Sequence, residues 1–530
     1  MPNEISGVEK GELAQEIEIS TLEKNKKIGL YTFISMIFVT VYGIGNSQQI
    51  YYQMGYASIT YVILGIFLFL IPYAFMVSEM SSAFHNKTGG IFSWMSESVG
   101  LKFSTVGVFL WYVAAIIWWL WLSAIAINIS TAIFGVDESQ SWHIFGLSNT
   151  GTTALIGVAF FSIIIFFSRL GIKSVGFLSN ISMLVVIILH IVLLGGGILI
   201  FILNHGHFQQ HFDFTKVSSY FYGPNKYYAN PMQAIAFMVF IIFILGGLEA
   251  TGGLVDKIHN PKKTAPKAML LAAFSIAFLY VFGVIVLGMV LNYKQTFGNP
   301  HVNMFNFSIY LILQQFTEFG LQLGMSHANA VELGKWVNRV LTWTTLIGMF
   351  NLPLVLYYPI KQVFEGMPKG MVPSVLLKKN KHGVTTNALY LQSTIIIIAV
   401  LLIGFGGNVA NTIYNNIVFM MTIATSIPWL FIVYAYIKFK QNDSIKKEYT
   451  FFSKKWGIIV GTITCLTLLF VNVFSMVEPF FTNQIQQGIW VVSGPIAFGI
   501  LGYILAEVYL YKHDKSKSLL RHFSKKKLTK

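Results

Sequence analysis

Glu249 is the residue in this chain best placed to do chemistry, because it is a carboxylate inside an apolar stretch. The segment Gln233–Ala268 is long enough to cross a bilayer, yet Gly246, Gly247, Gly252 and Gly253 interrupt it around Glu249. A charged side chain at the centre of a membrane helix costs at least about 2.5–3.5 kcal/mol, so it marks a functional site by default. Burial in low dielectric favours the neutral form of a carboxyl group, which makes Glu249 a candidate for proton coupling. The alternative is a lipid-shielded kink holding a protonated, hydrogen-bonded Glu249.

A second interruption lies in the first apolar run, LYTFISMIFVTVYGIGNSQQIYYQMG, where Gly43 and Gly45 precede Asn46, Ser47, Gln48 and Gln49. Backbone that leaves a helix in hydrocarbon persists only where it is buried in protein or lines a wet cavity. Each broken end offers unpaired N–H groups at a positive dipole end and unpaired carbonyls. Such a pair of ends suits a zwitterion, with the carboxylate at N–H groups and the ammonium at carbonyls. The expected substrate-binding residues are therefore Gly43, Ile44, Gly45, Asn46 and Ser47 in one break, and Gly246, Gly247, Leu248 and Glu249 in the other. Taken alone, Gly43 and Gly45 read equally as a packing face for a neighbouring helix.

Other polar and aromatic residues in apolar runs are weaker candidates. Trp118 and Trp119, with Trp343 further on, sit deep enough to stack over a substrate side chain or its ammonium. Trp111 and Trp336 read as interfacial belt anchors. His190, alone in VVIILHIVLL, reads as hydrogen-bonded to a neighbouring helix rather than as a proton relay. Arg339 reads as snorkelling or paired with Glu332, and Glu507 as interfacial. His205, His207 and His211 have a spacing that suits a metal, but no acid accompanies them, so a solvated loop is the better reading. Cys465 is the single cysteine, which excludes an intrachain disulfide and a cysteine metal site. No Walker A motif occurs. No cofactor and no metal are expected.

The elements that must position these residues follow from composition. The chain has 530 residues, 55% hydrophobic and 11% charged, with mean hydropathy +0.64. This is the composition of an all-α polytopic membrane protein, not of a soluble domain. Twelve apolar runs reach roughly spanning length, near 29–52, 57–83, 104–133, 152–168, 173–203, 232–255, 268–292, 336–360, 386–405, 409–437, 456–476 and 488–511. Polar, mixed-charge residues precede the first, which is too long for a signal h-region, so no cleavable signal is expected.

Lysine and arginine set the orientation. With both termini inside, the external loops hold only Lys216, Lys226, Lys294 and Lys335 of the 36 basic residues, and all the others but Arg339 are internal. The net charge of +15 is thus a topology signal and not a nucleic-acid one. The expected organisation is a cytoplasmic segment 1–28, a first repeat 29–203, an external loop 204–231, a second repeat 232–437, two further spans to 511, and a basic cytoplasmic tail 512–530. The two interrupted runs are the first and the sixth, which correspond in a five-plus-five inverted repeat. Paired breaks at corresponding positions are the sequence sign of a midplane transport site. The apolar piece FSIYLILQQFTEFGLQLGM reads as an interfacial or re-entrant helix.

Several of these segments resemble the amino acid–polyamine–organocation (APC) transporters. The resemblance rests on Glu79-Met80 with Gly89-Gly90-Ile91-Phe92-Ser93-Trp94, on Gly247-Leu248-Glu249-Ala250 with Asn260-Pro261-Lys262-Lys263-Thr264-Ala265-Pro266-Lys267-Ala268, and on Asn380-Lys381-His382-Gly383 with Asn387-Ala388. It covers essentially all twelve runs and is nearest to the glutamate:GABA antiporter branch, in particular an uncharacterised bacterial subgroup. It implies the LeuT-like fold with helices 1 and 6 broken, and secondary active transport of an amino acid or derived amine. It also implies a role for Lys173, whose Gly-x-Lys position is similar to one where a buried lysine replaces sodium. The first break departs from the family: Gly43-Ile44-Gly45-Asn46 has a bulky and a polar residue where small and aliphatic ones are usual.

Three classes of function compete. A channel needs a continuous polar pore, which no run supplies. A membrane enzyme, or a sensor on a permease fold, needs convergent acids or histidines at a membrane face. An amino-acid transporter in the plasma or inner membrane, by proton-coupled symport or by antiport, accounts for both breaks and Glu249. Its partners are a small amino acid or amine and membrane lipids, with the basic tail lying on anionic headgroups. Self-association as a homodimer is left open, and no nucleic acid is expected. No charged residue is aimed at a substrate side chain, so the amino acid itself is not specified.

Overall fold

The computed structural model describes residues 27–299, 302–514 and 516–519; the segment before residue 27 and the tail from residue 520, both expected to be cytoplasmic, lie outside the described residues. Among them the chain is helical, with isolated bridges such as Ile28 to Ile258 in place of sheets. The first membrane segment is two half-helices, α1 (Leu30–Val41) and α2 (Ile44–Met54). The chain turns at Gly55, with φ 55°, into α3 (Ser58–Gly65) and α4 (Ile71–Ala83), joined through a π-helical turn Ile66–Leu70. A short helix α5 (Ile91–Val99) leads to α6 (Leu101–Ile117) and α7 (Ile125–Phe134), with 3₁₀ geometry over Trp118–Ala124 between them. Then come α8 (Asn149–Ser168) and the long α9 (Ile172–Leu203).

The second half begins with α10 (Pro231–Leu245), capped by the Asn230 side chain, and continues as a 3₁₀ helix over Leu248–Lys257. Ten residues of 3₁₀ geometry are unusual, since such runs seldom exceed one turn and mark hinges or strain. After them come α11 (Pro261–Val290), the shorter helices α12 (Tyr293–Phe297) and α13 (Phe307–Gln322), and α14 (His327–Gly348) continued by α15 (Leu352–Phe364). The last four helices are α16 (Thr386–Phe405), α17 (Gly407–Gln441), α18 (Lys454–Phe481) and α19 (Ile485–His513).

Ten helical stretches among the described residues are long and apolar enough to cross a membrane, Leu30–Ala83 and Pro231–Lys257 among them. The Pro231–Lys257 stretch is the most enclosed, with 78% of its apolar window buried. It is therefore the centre around which the others pack. The α11 helix runs behind both interrupted segments, touching α1, α2 and the 3₁₀ piece after α10. Helix α13 packs over α2 and α9, where the Gln315 amide donates to the Leu193 carbonyl at 2.8 Å.

Buried charge fixes the far end of α4. The Glu79 carboxylate, with no exposed surface, accepts Lys440 Nζ from α17 at 2.9 Å and Tyr436 Oη at 3.1 Å. Its other oxygen accepts the backbone N–H groups of Phe451 and Phe452, both at 2.8 Å. Every lone pair facing protein is thus used, which is the condition under which a buried ion pair persists. Glu507 near the end of α19 does similar work. It pairs with Lys102 and accepts Ser518 Oγ and the Leu519 N–H, both at 2.9 Å.

Candidate substrate and proton-coupling site

Both glycine-marked segments are interrupted helices. The ladder of α1 ends where Tyr42 N–H bonds the Phe38 carbonyl at 2.7 Å; Tyr42 and Gly43 are then extended before α2 begins. In the second segment Gly246 is extended and Gly247 has φ 107°, a conformation that only glycine adopts without strain. A Cβ at Gly246 would stand 2.0 Å from the Trp429 ring, so the indole of α17 occupies that side of the break. The glycines are needed for different reasons, one for space and the next for a dihedral angle.

One hydroxyl connects the two breaks. Tyr280, fully buried on α11, points its Oη at the Val41 carbonyl, 3.4 Å away, and at the Ile244 carbonyl, 3.3 Å away. It accepts Asn46 Nδ2 at 3.1 Å. Val41 ends α1 and Ile244 lies in the last turn of α10, where carbonyls lose their helical partners at the breaks. The single hydroxyl proton serves one carbonyl at a time, so the pair keeps spare accepting capacity. Facing carbonyls with such capacity are the ligands an ammonium requires.

Glu249 lies just past the second break, 1% exposed. Its Oε1 accepts the indole N–H of Trp429 at 2.9 Å and of Trp111 at 3.1 Å; its Oε2 accepts Tyr73 Oη at 3.0 Å. No cation among the described residues pairs with it. An indole only donates, whereas a tyrosine hydroxyl both donates and accepts. The cage therefore accommodates the carboxylate as it stands, and the protonated acid once the Tyr73 hydroxyl turns to accept. The carboxyl group is thus held by three neutral donors, one each on α4, α6 and α17.

At the first break Ser47 Oγ lies 3.0 Å from Tyr42 Oη, which is also hydrogen-bonded to His190 Nε2 of α9. His190 Nδ1 faces the Val186 carbonyl at 2.6 Å. His190 is thus hydrogen-bonded across to a neighbouring helix, as its isolation in the sequence suggests. Gly45 has open space where a Cβ would stand, and the Ile44 side chain lies outside the described residues. Leu248 is fully buried. Away from the breaks, the start of one segment meets the end of the other: Ile28 N–H bonds the Lys257 carbonyl at 2.9 Å, and His259 N–H the Ile28 carbonyl at 3.0 Å. Gln362 of α15 adds a tie to the Ala250 carbonyl at 2.8 Å.

Other candidates are placed differently. Lys173 is exposed in the first turn of α9, so the buried ammonium that the resemblance implies is not found there. It is Asn180, two turns on, that meets α1, through Thr32 at 3.1 Å. Trp343 is 55% exposed, which puts it on the bundle surface and not in a pocket. Trp119 is buried against Phe161 at 5.0 Å, and Trp118 stacks edge-on with Trp119 and Trp121; neither bonds to the Glu249 cage. Trp111 is a corrected reading, a buried carboxylate donor where its sequence context suggests an interfacial anchor. Arg339 donates to the Phe134 carbonyl at 3.0 Å, while Glu332 pairs with Lys335 at 2.7 Å. Among the described residues no three His, Cys, Asp or Glu side chains stand together as metal ligands would.

A polytopic helical bundle whose two interrupted helices meet at one shared hydroxyl has the architecture expected of a membrane transporter. The comparisons narrow this. The family model described as Amino acid permease matches residues 28–504, so the chain belongs to that family, a family of transporters and not of enzymes. It is 32% identical over 488 residues to the inner membrane transporter YjeM of Salmonella typhimurium, covering 91% of this chain and 96% of the relative. It is 25% identical over 514 residues to the aspartate/glutamate permease AcaP of Lactococcus lactis subsp. cremoris, covering 93% and 98%. With the glutamate/gamma-aminobutyrate antiporter of Lactococcus lactis subsp. lactis it shares 24% identity over 524 residues, covering 92% and 91%. The chain is a multi-pass membrane protein of the amino-acid-transporting class.

Proposed function

We propose that this protein moves a small amino acid, or an amine derived from one, by alternating access, either with a proton or in exchange for a second substrate. The observation that carries the reading is the Tyr280 hydroxyl set between the Val41 and Ile244 carbonyls. It ties a carbonyl beside each break to one hydroxyl, and that hydroxyl also accepts Asn46 of the first break. The substrate carboxylate is assigned to the N–H groups of Gly43 to Ser47 at the start of α2, and the ammonium to the carbonyls of Val41 and Ile244. Glu249, one turn beyond Gly246, is assigned the coupling proton. The names of AcaP and the glutamate/gamma-aminobutyrate antiporter support an acidic or neutral amino acid as cargo.

The reading includes twelve spans, a five-plus-five inverted repeat and both termini inside. Two features support the count. The 54-residue stretch Leu30–Ala83 would be about 80 Å long as one helix, far beyond a bilayer, and it turns at Gly55. Helix α17, 35 residues long, is long enough to supply a further crossing between α16 and α18. The distribution of lysine supports the orientation. The experiment is uptake and exchange of labelled amino acids by purified protein in sealed liposomes, with and without a pH gradient. Saturable exchange of an amino acid is the expected result; a protein that moves none and binds none contradicts the reading.

A further inference from the structure

The first break holds a titratable group that the proposed mechanism leaves unused. His190 lies midway along α9, 8% exposed, with its ring against Tyr42 (centroids 5.0 Å apart). A carbonyl can only accept, so the 2.6 Å contact with Val186 assigns a proton to Nδ1. In the neutral imidazole Nε2 then carries the lone pair, and the Tyr42 hydroxyl donates to it. The Tyr42 oxygen is left to accept from Ser47 Oγ at 3.0 Å. The direction of every bond follows from one carbonyl: Ser47 gives to Tyr42, Tyr42 to His190, His190 to Val186.

We propose that His190 is a second proton-binding site, and that the proton it takes reverses this chain and resets the segment after the first break. The proton adds to Nε2, which becomes a donor to the Tyr42 oxygen. The Tyr42 hydroxyl hydrogen must then turn to Ser47 Oγ, and the Ser47 hydrogen must find another acceptor. One proton enters and each hydroxyl rotates once, with no covalent bond exchanged among the three. A cavity of about 20 Å³ bounded by His190, Tyr42, Ser47, Gln48 and Gly283 borders the chain. That volume admits about one water molecule. A water in that cavity would be the acceptor for Ser47 after reversal.

No competing charge obscures the site. Tyr42 and Tyr280, whose rings are 4.7 Å apart, are the titratable side chains at its face from the α1–α2 break and α11. From α13 comes Gln315, bonded to the Leu193 carbonyl. The charged residues of α13 and α14 are engaged elsewhere, Glu318 with Gln322 and Arg339 with the Phe134 carbonyl. The Glu249 cage is built by Tyr73, Trp111 and Trp429, none of which touches this chain. The two proton sites therefore sit one at each break. This deepens the proposed function, since it makes the carboxylate-binding segment itself responsive to protons.

The test is hydrogen–deuterium exchange of the peptide covering residues 43–49 in the purified full-length protein, between about pH 5 and pH 8 and corrected for intrinsic rates. The wild type is expected to lose protection about fivefold as pH falls, the equivalent of one hydrogen bond. His190→Gln, which keeps an acceptor toward Tyr42, is expected to be flat, and so is Tyr42→Phe, which keeps the ring and cuts the chain. A wild-type profile without pH dependence overturns the proposal, as does a pH dependence that survives in His190→Gln. Amino-acid exchange in liposomes, measured on the same preparations, separates the two readings. Protection that titrates in the wild type alone while no amino acid is exchanged supports the proton site and overturns the amino-acid site.

Discussion

Trp429 and Gly246 share one space: the indole ring of Trp429 lies where a side chain at position 246 would be, 2.0 Å from its Cβ, while its N–H donates to Glu249 at 2.9 Å. The break in the helix and the seating of the carboxylate are therefore one arrangement. Gly246→Ala should push the indole away and lose both, at about 1–3 kcal/mol of overpacking. Trp429→Phe keeps the bulk and removes only the donor. The account expects Gly246→Ala to lower the unfolding midpoint and abolish exchange, and Trp429→Phe to leave the midpoint closer to wild type while altering pH dependence. Thermal unfolding in detergent together with liposome exchange decides this.

Glu249→Gln fits the cage without new space. Its carbonyl oxygen can face the two indoles and its NH₂ the Tyr73 hydroxyl, which turns to accept. The protein should insert and fold, and its transport should become nearly flat with pH. Glu249→Ala instead strands three buried donors, each costing about 1–3 kcal/mol, and should fail to reach normal expression. Transport by Glu249→Gln that keeps the wild-type pH profile removes this residue from coupling.

Tyr280→Phe removes the hydroxyl between the breaks and keeps the ring packed on Tyr42. Loss of one buried bond costs about 1 kcal/mol of stability. The larger effect should be on substrate, because Asn46 loses its acceptor and both carbonyls are freed. Half-saturation for exchange should move about fivefold or more; an unchanged value places the ammonium elsewhere.

Lys440 and Glu79 form an enclosed pair, 1% and 0% exposed at the side chain. Removing one partner leaves a bare buried charge, so Lys440→Ala should cost about 3–5 kcal/mol. Removing both should cost less than the two single changes summed. A double-mutant cycle on unfolding midpoints measures this, and strict additivity would contradict the pairing.

Much of this was legible in the sequence because membrane helices advertise their length. The run at 386–405 is helix α16, Thr386–Phe405, and the run at 173–203 is α9, Ile172–Leu203. The run at 268–292 begins several residues late, because the first turns of α11 carry the polar piece Pro261–Lys267. Both breaks were marked by glycines with polar neighbours, since backbone that leaves the helix needs such residues. What surrounds Glu249 was not legible. Tyr73, Trp111 and Trp429 come from three distant helices, and an aromatic in an apolar run looks alike whether it faces lipid or a carboxylate. Lys173 shows the converse error, because a motif fixes a position along a helix but not the face that is buried.

The most direct test asks whether the purified protein in liposomes recognises both ends of a zwitterion. Labelled amino acids are screened for exchange, and the best one is then competed with its carboxamide and its desamino analogue. The account predicts saturable exchange that the parent amino acid inhibits, and at least tenfold weaker inhibition when either the carboxylate or the ammonium is missing. Equal inhibition by the masked analogues, or no exchange of any amino acid between about pH 5 and pH 8, would contradict the claim that the two broken helices grip the substrate by its backbone groups.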